Sequence, residues 1–470
     1  MEGLEITELM LSGLRAENDK LRIDSGYFSK PMLSAEQKIR RYAAGYDELG
    51  SLFSRFVKGI FDINSDTYVD DGIPFIRIQN LKDGLIDNRG MAFIPEDIHQ
   101  SERKTELCEG DIVLSKTGYP AASIFVLERG NTSQDTIATT LSEYGKKHYR
   151  APVVVAYLNS KYGQALLWRQ FQGNVQLHLS LEDGRKVPIP RFSETLQIAI
   201  ENCFNSAKKL RTDAALSIEN AENILLHALG LDTWSVPEPL SYIRSSSEVF
   251  NATRLDAEHF QPRFQSLVEL IDETGAGTKL GKHLLNNKRG KQPAYVDEGL
   301  PVVNSKHVLR NDVRLDADNR MAISEEGDLL IRPGDVLFNG TGVGTIGRSA
   351  AYLHETLAIP DNHVTILRPD KKLDPVYLAL FLNSKAGQFQ VEQRLRGSSG
   401  QIELYPNDIA EFSIWLAPTT LQQSVRQQVE QSFAQKQNAA RLLDAAKRAV
   451  EIAIEESEAA AVAYLDNIVE

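Results

Sequence analysis

Cysteine is almost missing from this chain: two residues, Cys108 and Cys203, fall in separate predicted elements. That excludes a disulfide framework and a thiolate zinc site. The nine histidines are scattered without an HxxxH or HxH pair, so a metal centre is not expected. Apolar runs stay well short of the roughly 18–20 residues a membrane span requires. The opening stretch MEGLEITELM has neither a basic nor an apolar leader region, and a cytoplasmic protein without a membrane partner is expected. A basic excess is missing too: 52 Lys and Arg stand against 64 Asp and Glu, a net charge of −12. This argues mildly against a general nucleic-acid coat. The sum conceals a distribution, with acid at both ends and basic clusters between them at Lys146, Lys147 and Arg150, at Arg185 and Lys186, at Lys288, Arg289 and Lys291, and at Arg394 and Arg396. At 470 residues the chain exceeds one core, and two to four domains follow.

Signs of catalysis are equally sparse. Gly342, Gly344 and Gly347 spell GxGxxG after the strand-like DVLF, but RSAAYLHE leads straight to Pro360 with no useful helix pattern. The corresponding stretch TGYPAAS lacks the glycines, so a close-approach turn is expected instead of a dinucleotide site. Glu36 and Lys38 after Asp24 lack a second acidic strand residue, as a nuclease would need. The glycine-rich motif and NPPY-type tetrapeptide of a DNA amino-methyltransferase are also missing. A non-catalytic chain that binds no cofactor or metal itself is expected.

What is present is order on a long scale. From Glu194 to Leu229 no Gly or Pro intervenes. Leu196, Ile200, Cys203, Ala207, Leu210, Ala214, Ser217, Ala221, Ile224 and Ala228 step by fours and threes. That is the a/d seam of a coiled coil, and Gly230 stands where a C′ glycine belongs. The predicted rod is about 50–55 Å long. A second helical stretch runs from about Thr420 to Asn467, with Leu421, Val425, Val429, Phe433, Ala439, Leu443, Ala446, Val450, Ala453, Ala460 and Tyr464 at helical spacing. Two such rods in one chain are natural antiparallel partners, with Leu196, Ile200, Leu210, Ile224, Leu443 and Val450 as interface residues.

The chain is also written twice. LRIDSGYFSKP (21–31) returns as TRLDAEHFQPR (253–263), and YVDDGIPFI (68–76) as YVDEGLPVV (295–303). CEGDIVLSKTG (108–118) returns as RPGDVLFNGTG (332–342), AYLNSKYGQ (156–164) as LFLNSKAGQ (380–388), and GNVQLHLSLED (173–183) as GSSGQIELYPND (397–408). Five blocks in the same order, offset by roughly 225–230 residues, mean an internal duplication. Short β-rich runs at Ile73–Ile78, Asp111–Ser115, Ser123–Leu127, Val302–Ser305, Asp335–Asn339 and His363–Leu367 alternate with turns, and helical pieces cover Val153–Gln172 and Asp374–Leu395. The predicted class is α+β: twisted antiparallel sheets with helical subdomains, in two similar globular domains joined by two long antiparallel helices with pseudo-two-fold symmetry. The boundaries are 1–190 and 248–415 for the domains, 191–232 and 416–470 for the helices, and 233–247 for the linker.

Between the shared blocks lie polar turns that differ from half to half. The first half offers Arg77, Gln79, Asn80, Lys116, Thr117, Asn174, Gln176 and His178. The second offers Asn304, Lys306, Asn339, Thr341, Arg396, Ser399 and Gln401. Arg, Asn and Gln can pair with base edges, while Lys, Thr and backbone N–H groups suit phosphates. A shared scaffold with different reading residues is the pattern of two modules for two different DNA sequences. Thr117 and Thr341 are expected to position the backbone, and the loops around Gln176 and Gln401 to read. A duplicated protein-interaction scaffold without DNA specificity is the alternative.

These blocks resemble the specificity subunits of Type I DNA restriction–modification systems along essentially the whole chain. The resemblance rests on RIDSGYF and RLDAEHF, GIPFIRIQNL and GLPVVNSKHV, EGDIVLSKTG and PGDVLFNGTG, YLNS and FLNS, and the long helix closing each half. It implies two target-recognition domains reading the two parts of a split site in double-stranded DNA. It also implies a coiled coil that sets their spacing and docks two methyltransferase subunits, with restriction (translocase/nuclease) subunits as further partners. S-adenosylmethionine would then sit on the methyltransferase partner, outside this chain.

Overall fold

A computed structural model describes residues 8, 22, 24, 26–82, 84–173, 177–252, 254–315, 319–323, 327–396 and 402–469. The chain divides into two compact units, Met1–Arg211 with Lys436–Glu470, and Thr212–Gln435. Both boundaries fall inside the long helices, which span Glu194–Leu229 and Thr419–Glu455.

In the first unit a six-stranded sheet runs in the order Phe53–Lys58, Thr136–Leu141, Ile112–Ser115, Ala122–Ile124, Leu85–Ile86, Leu81–Lys82. A four-stranded sheet orders Ala92–Ile94, Ile73–Ile76, Arg129–Thr132 and Leu107–Cys108. The strand Ile112–Ser115 is buried on both faces, which is why its sequence reads as a continuous apolar run. The second unit repeats the plan with Leu284–Arg289, Val364–Pro369, Val336–Asn339 and Ser349–Ala351 in one sheet. Its other sheet orders Tyr295–Val296, Met321–Ala322, Leu300–Val303 and Ile359–Pro360.

The sheets are mixed rather than purely antiparallel. Ile73–Ile76 pairs parallel with Arg129–Thr132, and Leu300–Val303 parallel with Ile359–Pro360. A parallel pair needs a long crossover, and local alternation carries no sign of which distant strand it joins.

The LNSKxGQ and RxD blocks prove to be framework, with the same bonds in both units. In LNSKxGQ the asparagine clasps a strand at both backbone groups. Asn159 accepts from the Ala122 N–H at 3.0 Å and donates to the Ala122 carbonyl at 2.7 Å. Asn383 does the same at Ser349, at 3.0 and 2.6 Å. The serine breaks each predicted helix in two, giving Ala151–Asn159 with Lys161–Gln170, and Pro375–Asn383 with Lys385–Arg394. Ser160 and Ser384 take extended backbone and donate to the carbonyls three residues back, at 2.6 and 2.7 Å. The glycine lets the two helices close: a Cβ at Gly163 or Gly387 would lie 2.1 or 2.2 Å from a backbone oxygen of the preceding helix.

The RxD blocks repeat as well. Arg22 grips Asp24 and donates to the Arg169 carbonyl, while Arg254 grips Asp256 and donates to the Leu395 carbonyl. In the EGD and PGD turns the aspartate accepts from the backbone three residues earlier and binds an arginine. Here the halves differ: Asp111 takes Arg55 from the sheet-edge strand Phe53–Lys58, whereas Asp335 takes Arg368 from the central strand Val364–Pro369.

Each unit contains a section of the helix pair. In the first, Leu196, Ile200, Cys203 and Ala207 share a core with Ala439, Leu443, Ala446, Val450 and Ala453. In the second, Ala221, Leu225 and Leu229 pack with Val425 and Val429. Ser432 Oγ donates to the Ala214 carbonyl at 2.7 Å, and Ser217 Oγ to Gln435 at 3.2 Å. The early part of one helix thus meets the late part of the other, so the helices run antiparallel, as the seam predicts. Three details differ. Ala228 is exposed and Leu225 and Leu229 are buried instead, because four-residue steps turn the bulkier side chains into the second unit's core. Leu210 and Ile224 are only partly buried, at the margin of the seam. Ser432 rather than Phe433 occupies the seam, since a small residue allows the close approach to Ala214.

The second helix also stops at Glu455, and a separate helix covers Glu458–Val469. Ser457 starts it, with its hydroxyl accepting from the Ala460 N–H at 3.2 Å. Ala461 and Leu465 return to the first unit's core.

A partly exposed ionic knot closes the sheet pair Tyr46–Glu48 and Pro188–Pro190. Asp47 accepts from Arg191 at 2.6 and 2.8 Å and from the hydroxyls of Tyr149 and Tyr144, each at 2.9 Å. The Arg191 guanidinium, helped by the two tyrosines, holds the Asp47 carboxyl at about 2. A carboxyl depressed by folding stabilises above its unfolded value near 3.8 and loses that contribution as pH falls toward 2. Urea unfolding at pH 7 is therefore expected to place Asp47→Asn about 2 kcal/mol below the parent. The gap should narrow once the pH drops below about 4, and an equal gap at pH 7 and pH 2.5 would refute it.

Candidate nucleic-acid interface

Two polar turns occupy equivalent places in the two units. In the first, the strand Ile112–Ser115 runs into Lys116–Tyr119. The Lys116 N–H donates to the Asp135 carbonyl at 2.8 Å, the Gly118 N–H to Leu177 at 3.1 Å, and the Leu179 N–H back to Lys116 at 2.8 Å. The turn is thus stitched to the segment after Gln176. In the second, the Gly340 N–H donates to His363 at 2.9 Å, the Leu404 N–H to Gly340 at 2.9 Å, and the Gly342 N–H to Ile402 at 3.3 Å. That stitches the same turn to the segment after Gln401. Thr117 bridges to His178 and Thr341 to Glu403 in matching antiparallel pairs.

The chemistry on this common frame differs. Thr117 Oγ1 donates to the Asp135 carboxylate at 3.1 Å, whereas Thr341 Oγ1 pairs with His363 Nδ1 at 2.8 Å. Asp135 and His363 accept the same backbone bond, so an acid in one half stands where an imidazole stands in the other. Around the first turn, burial and then the neighbouring Lys58 push the partly buried Lys116 ammonium below its ordinary range, with Asp135 opposing. A cation so placed favours an anionic ligand. Around the second, Arg289 binds Glu403 at 3.3 Å and lies 5.5 Å over the Tyr405 ring. The Tyr405 hydroxyl and then Arg289 hold the Glu403 carboxyl below its usual range.

The structure changes the roles of several expected contact residues. Asn80 is fully buried, accepting from the Arg77 N–H at 3.0 Å and donating to the Asp87 carbonyl at 2.8 Å. Asn339 is fully buried too, donating to the carbonyls of Ser305 at 3.0 Å and Val308 at 3.2 Å. Both amides fasten a neighbouring turn and present nothing to a duplex. Thr117 and Thr341 are buried and committed to Asp135 and His363, so they shape the turn rather than hold a phosphate. An adjacent carboxylate would in any case repel a phosphate at Thr117.

Other expected residues remain at the surface. Arg77 and Gln79 both donate to the Gly90 carbonyl, at 2.6 and 3.2 Å, with the Arg77 guanidinium 5.4 Å over Tyr68. Gln79, His178, Lys306 and Arg396 are exposed. Asn304 accepts from the Lys306 N–H at 3.1 Å in an Asx turn that thrusts Lys306 outward. Arg396 is tied to Asp408 at 2.8 Å. Asn174, Gln176, Ser399 and Gln401 lie outside the described residues. Asp135 and His363 escape sequence reasoning, because the stretch between the EGD/PGD and LNS blocks carries no identity to align. Among the described residues no group of three His, Cys, Asp or Glu side chains is placed to hold a metal, and no helix is long and apolar enough to cross a membrane.

Comparison with known proteins adds a likeness in sequence. No family model matches the chain. The Type I restriction enzyme EcoKI specificity subunit of Escherichia coli (strain K12) is 20% identical over 380 residues, covering 78% of this chain and 76% of that protein. Among solved structures, the S subunit of the Type I restriction–modification system from M. genitalium aligns at 13% identity and a TM-score of 0.33, over 89% of this chain and 95% of its own. The HsdS subunit from Thermoanaerobacter tengcongensis aligns at 13% identity and 0.26, over 90% and 95%. The chain is thus similar, over most of its length, to proteins named as Type I specificity subunits.

Proposed function

We propose, from a chain similar to Type I specificity subunits, that this protein is a non-catalytic DNA-reading subunit. It recognises a bipartite target, one part with each domain, and docks two methyltransferase subunits, with restriction subunits as further partners. S-adenosylmethionine belongs to the methyltransferase. The observation that carries this reading is the repeated turn: one backbone frame stitched by the same bonds in both units, with Asp135 in one and His363 in the other. Residues of a common scaffold keep their bonds; residues that read different sequences must differ. Asn174 and Gln176, and Ser399 and Gln401, which precede the stitched residues Leu177 and Ile402 in sequence, are the proposed readers, with His178 beside the first turn.

Exchanging residues 1–190 for those of another such protein tests the assignment. A genome-wide map of adenine methylation is expected to show one half of the methylated motif changed and the other intact. A swap that alters both halves or neither refutes two independent reading modules.

A further inference from the structure

The second unit carries cations that the first lacks at equivalent places. The hairpin Val308–Leu309 with Asp312–Val313 turns through Asn311, which has a positive φ of 57°, as Gly84 turns the hairpin Leu81–Lys82 with Leu85–Ile86 at 78°. The residue before each is Arg310 in the second half and Asp83 in the first. Asn383 and Asn159 clasp Ser349 and Ala122, so the residues just before these are Arg348 and Ala121. An acid and an alanine have thus become two arginines.

The same clasp brings the arginines together. Asn383 Nδ2 donates to Asn311 Oδ1 at 2.8 Å and to the Ser349 carbonyl at 2.6 Å, and the Asn311 N–H donates to the Ser349 carbonyl at 2.9 Å. Arg310 is steered by the Asn383 carbonyl at 2.9 Å and Gln388 Oε1 at 3.4 Å. Arg348 is partly buried, and burial with the neighbouring Arg310 depresses its ionisation. Lys306 projects from the adjoining turn, whose Ser305 and Val308 carbonyls hold Asn339. Among the described residues none of these three cations has a carboxylate partner. Like charges gathered without a counter-charge cost stability, and an anion relieves it.

We infer that Arg310 and Arg348, with Lys306 on the turn that leads into their hairpin, form a phosphate clamp that grips a duplex backbone at the second domain. Paired guanidinium forks suit phosphate oxygens. The turn Gly342–Gly347 beside them favours a nucleic-acid backbone over a protein face, because Gly344 is exposed with open space where a side chain would be. The inference rests on the DNA-reading assignment.

The test is the salt dependence of binding by the full chain to a long duplex of mixed sequence. Each phosphate contact adds about 0.9 to the slope of log affinity against log salt. Arg310→Gln with Arg348→Gln is expected to lower the slope by about 1.8, which weakens the salt effect between 50 and 200 mM about twelve-fold. Arg310→Lys with Arg348→Lys keeps the charges and should restore the slope. Lys306→Gln, at an exposed site, should lower it by about 1 without disturbing the fold. An unchanged slope in the Gln variants overturns the clamp, and still more so if they lose a protein partner instead. A parent chain with no salt dependence overturns the DNA-reading assignment itself, and the clamp with it.

Discussion

Protein carrying Ile200→Asp together with Leu225→Asp is expected to lose its cooperative thermal transition or melt far below the parent. Both side chains are fully buried, Ile200 in the helix pairing of the first unit and Leu225 in that of the second. A carboxylate placed there has no cation to meet it, and an uncompensated buried charge costs about 3–5 kcal/mol. Two such losses rival the whole stability of an ordinary domain, about 5–15 kcal/mol. Leu225 is the better choice than Ile224, which lies at the margin of the seam and would let its carboxylate reach water. The control is Leu216→Asp, on the same helix but exposed, which should stay within about 0.5 kcal/mol. Circular dichroism melts decide it: equal melting of the double variant and the control would mean the seam is not a buried interface.

Gly387→Ala is the smallest change with a comparably large effect. The added methyl would sit 2.2 Å from the Leu382 carbonyl oxygen and 2.4 Å from its Cα. Both are backbone atoms of the helix Pro375–Asn383, so no side chain can swing aside. The joint with the helix Lys385–Arg394 must open, at about 3 kcal/mol or more. Opening it also disturbs Asn383, which holds the strand Ser349–Ala351. A denaturation midpoint equal to the parent's would show that the joint is loose.

The duplication and the helix seam were legible because each is a long-range regularity: identical blocks in identical order, and apolar residues at steps of three and four. Such patterns survive ignorance of the partner strand. What stayed hidden depends on single contacts. Ser160, Ser384 and Ser457 read as ordinary helix residues until their extended backbone or capping bonds are seen. The parallel strand pairs join residues too far apart for local alternation to betray them. At the candidate turns, residue type alone did not reveal which side chains are committed to the fold. Asn80 and Asn339 have the right chemistry for bases, but a buried amide N–H must find an acceptor, and neighbouring carbonyls claimed the amide N–H groups of both residues. Asp135 and His363 were hidden for the opposite reason, since positions that differ between halves leave no repeat to notice.

The assembly of the first unit from two separate chain segments has a consequence for the order of events during synthesis. Arg211 ends one segment and Lys436 begins the next, with the 224 residues from Thr212 to Gln435 between them. At about 5–20 residues per second, translating those residues occupies roughly 11–45 s. Throughout that interval Leu196, Ile200, Cys203 and Ala207 have emerged without Ala439, Leu443, Ala446 and Val450 to cover them. The second unit, whose residues are contiguous, needs no such wait. The half made first is therefore the half completed last, and its bare helix face is where a chaperone would bind a nascent chain.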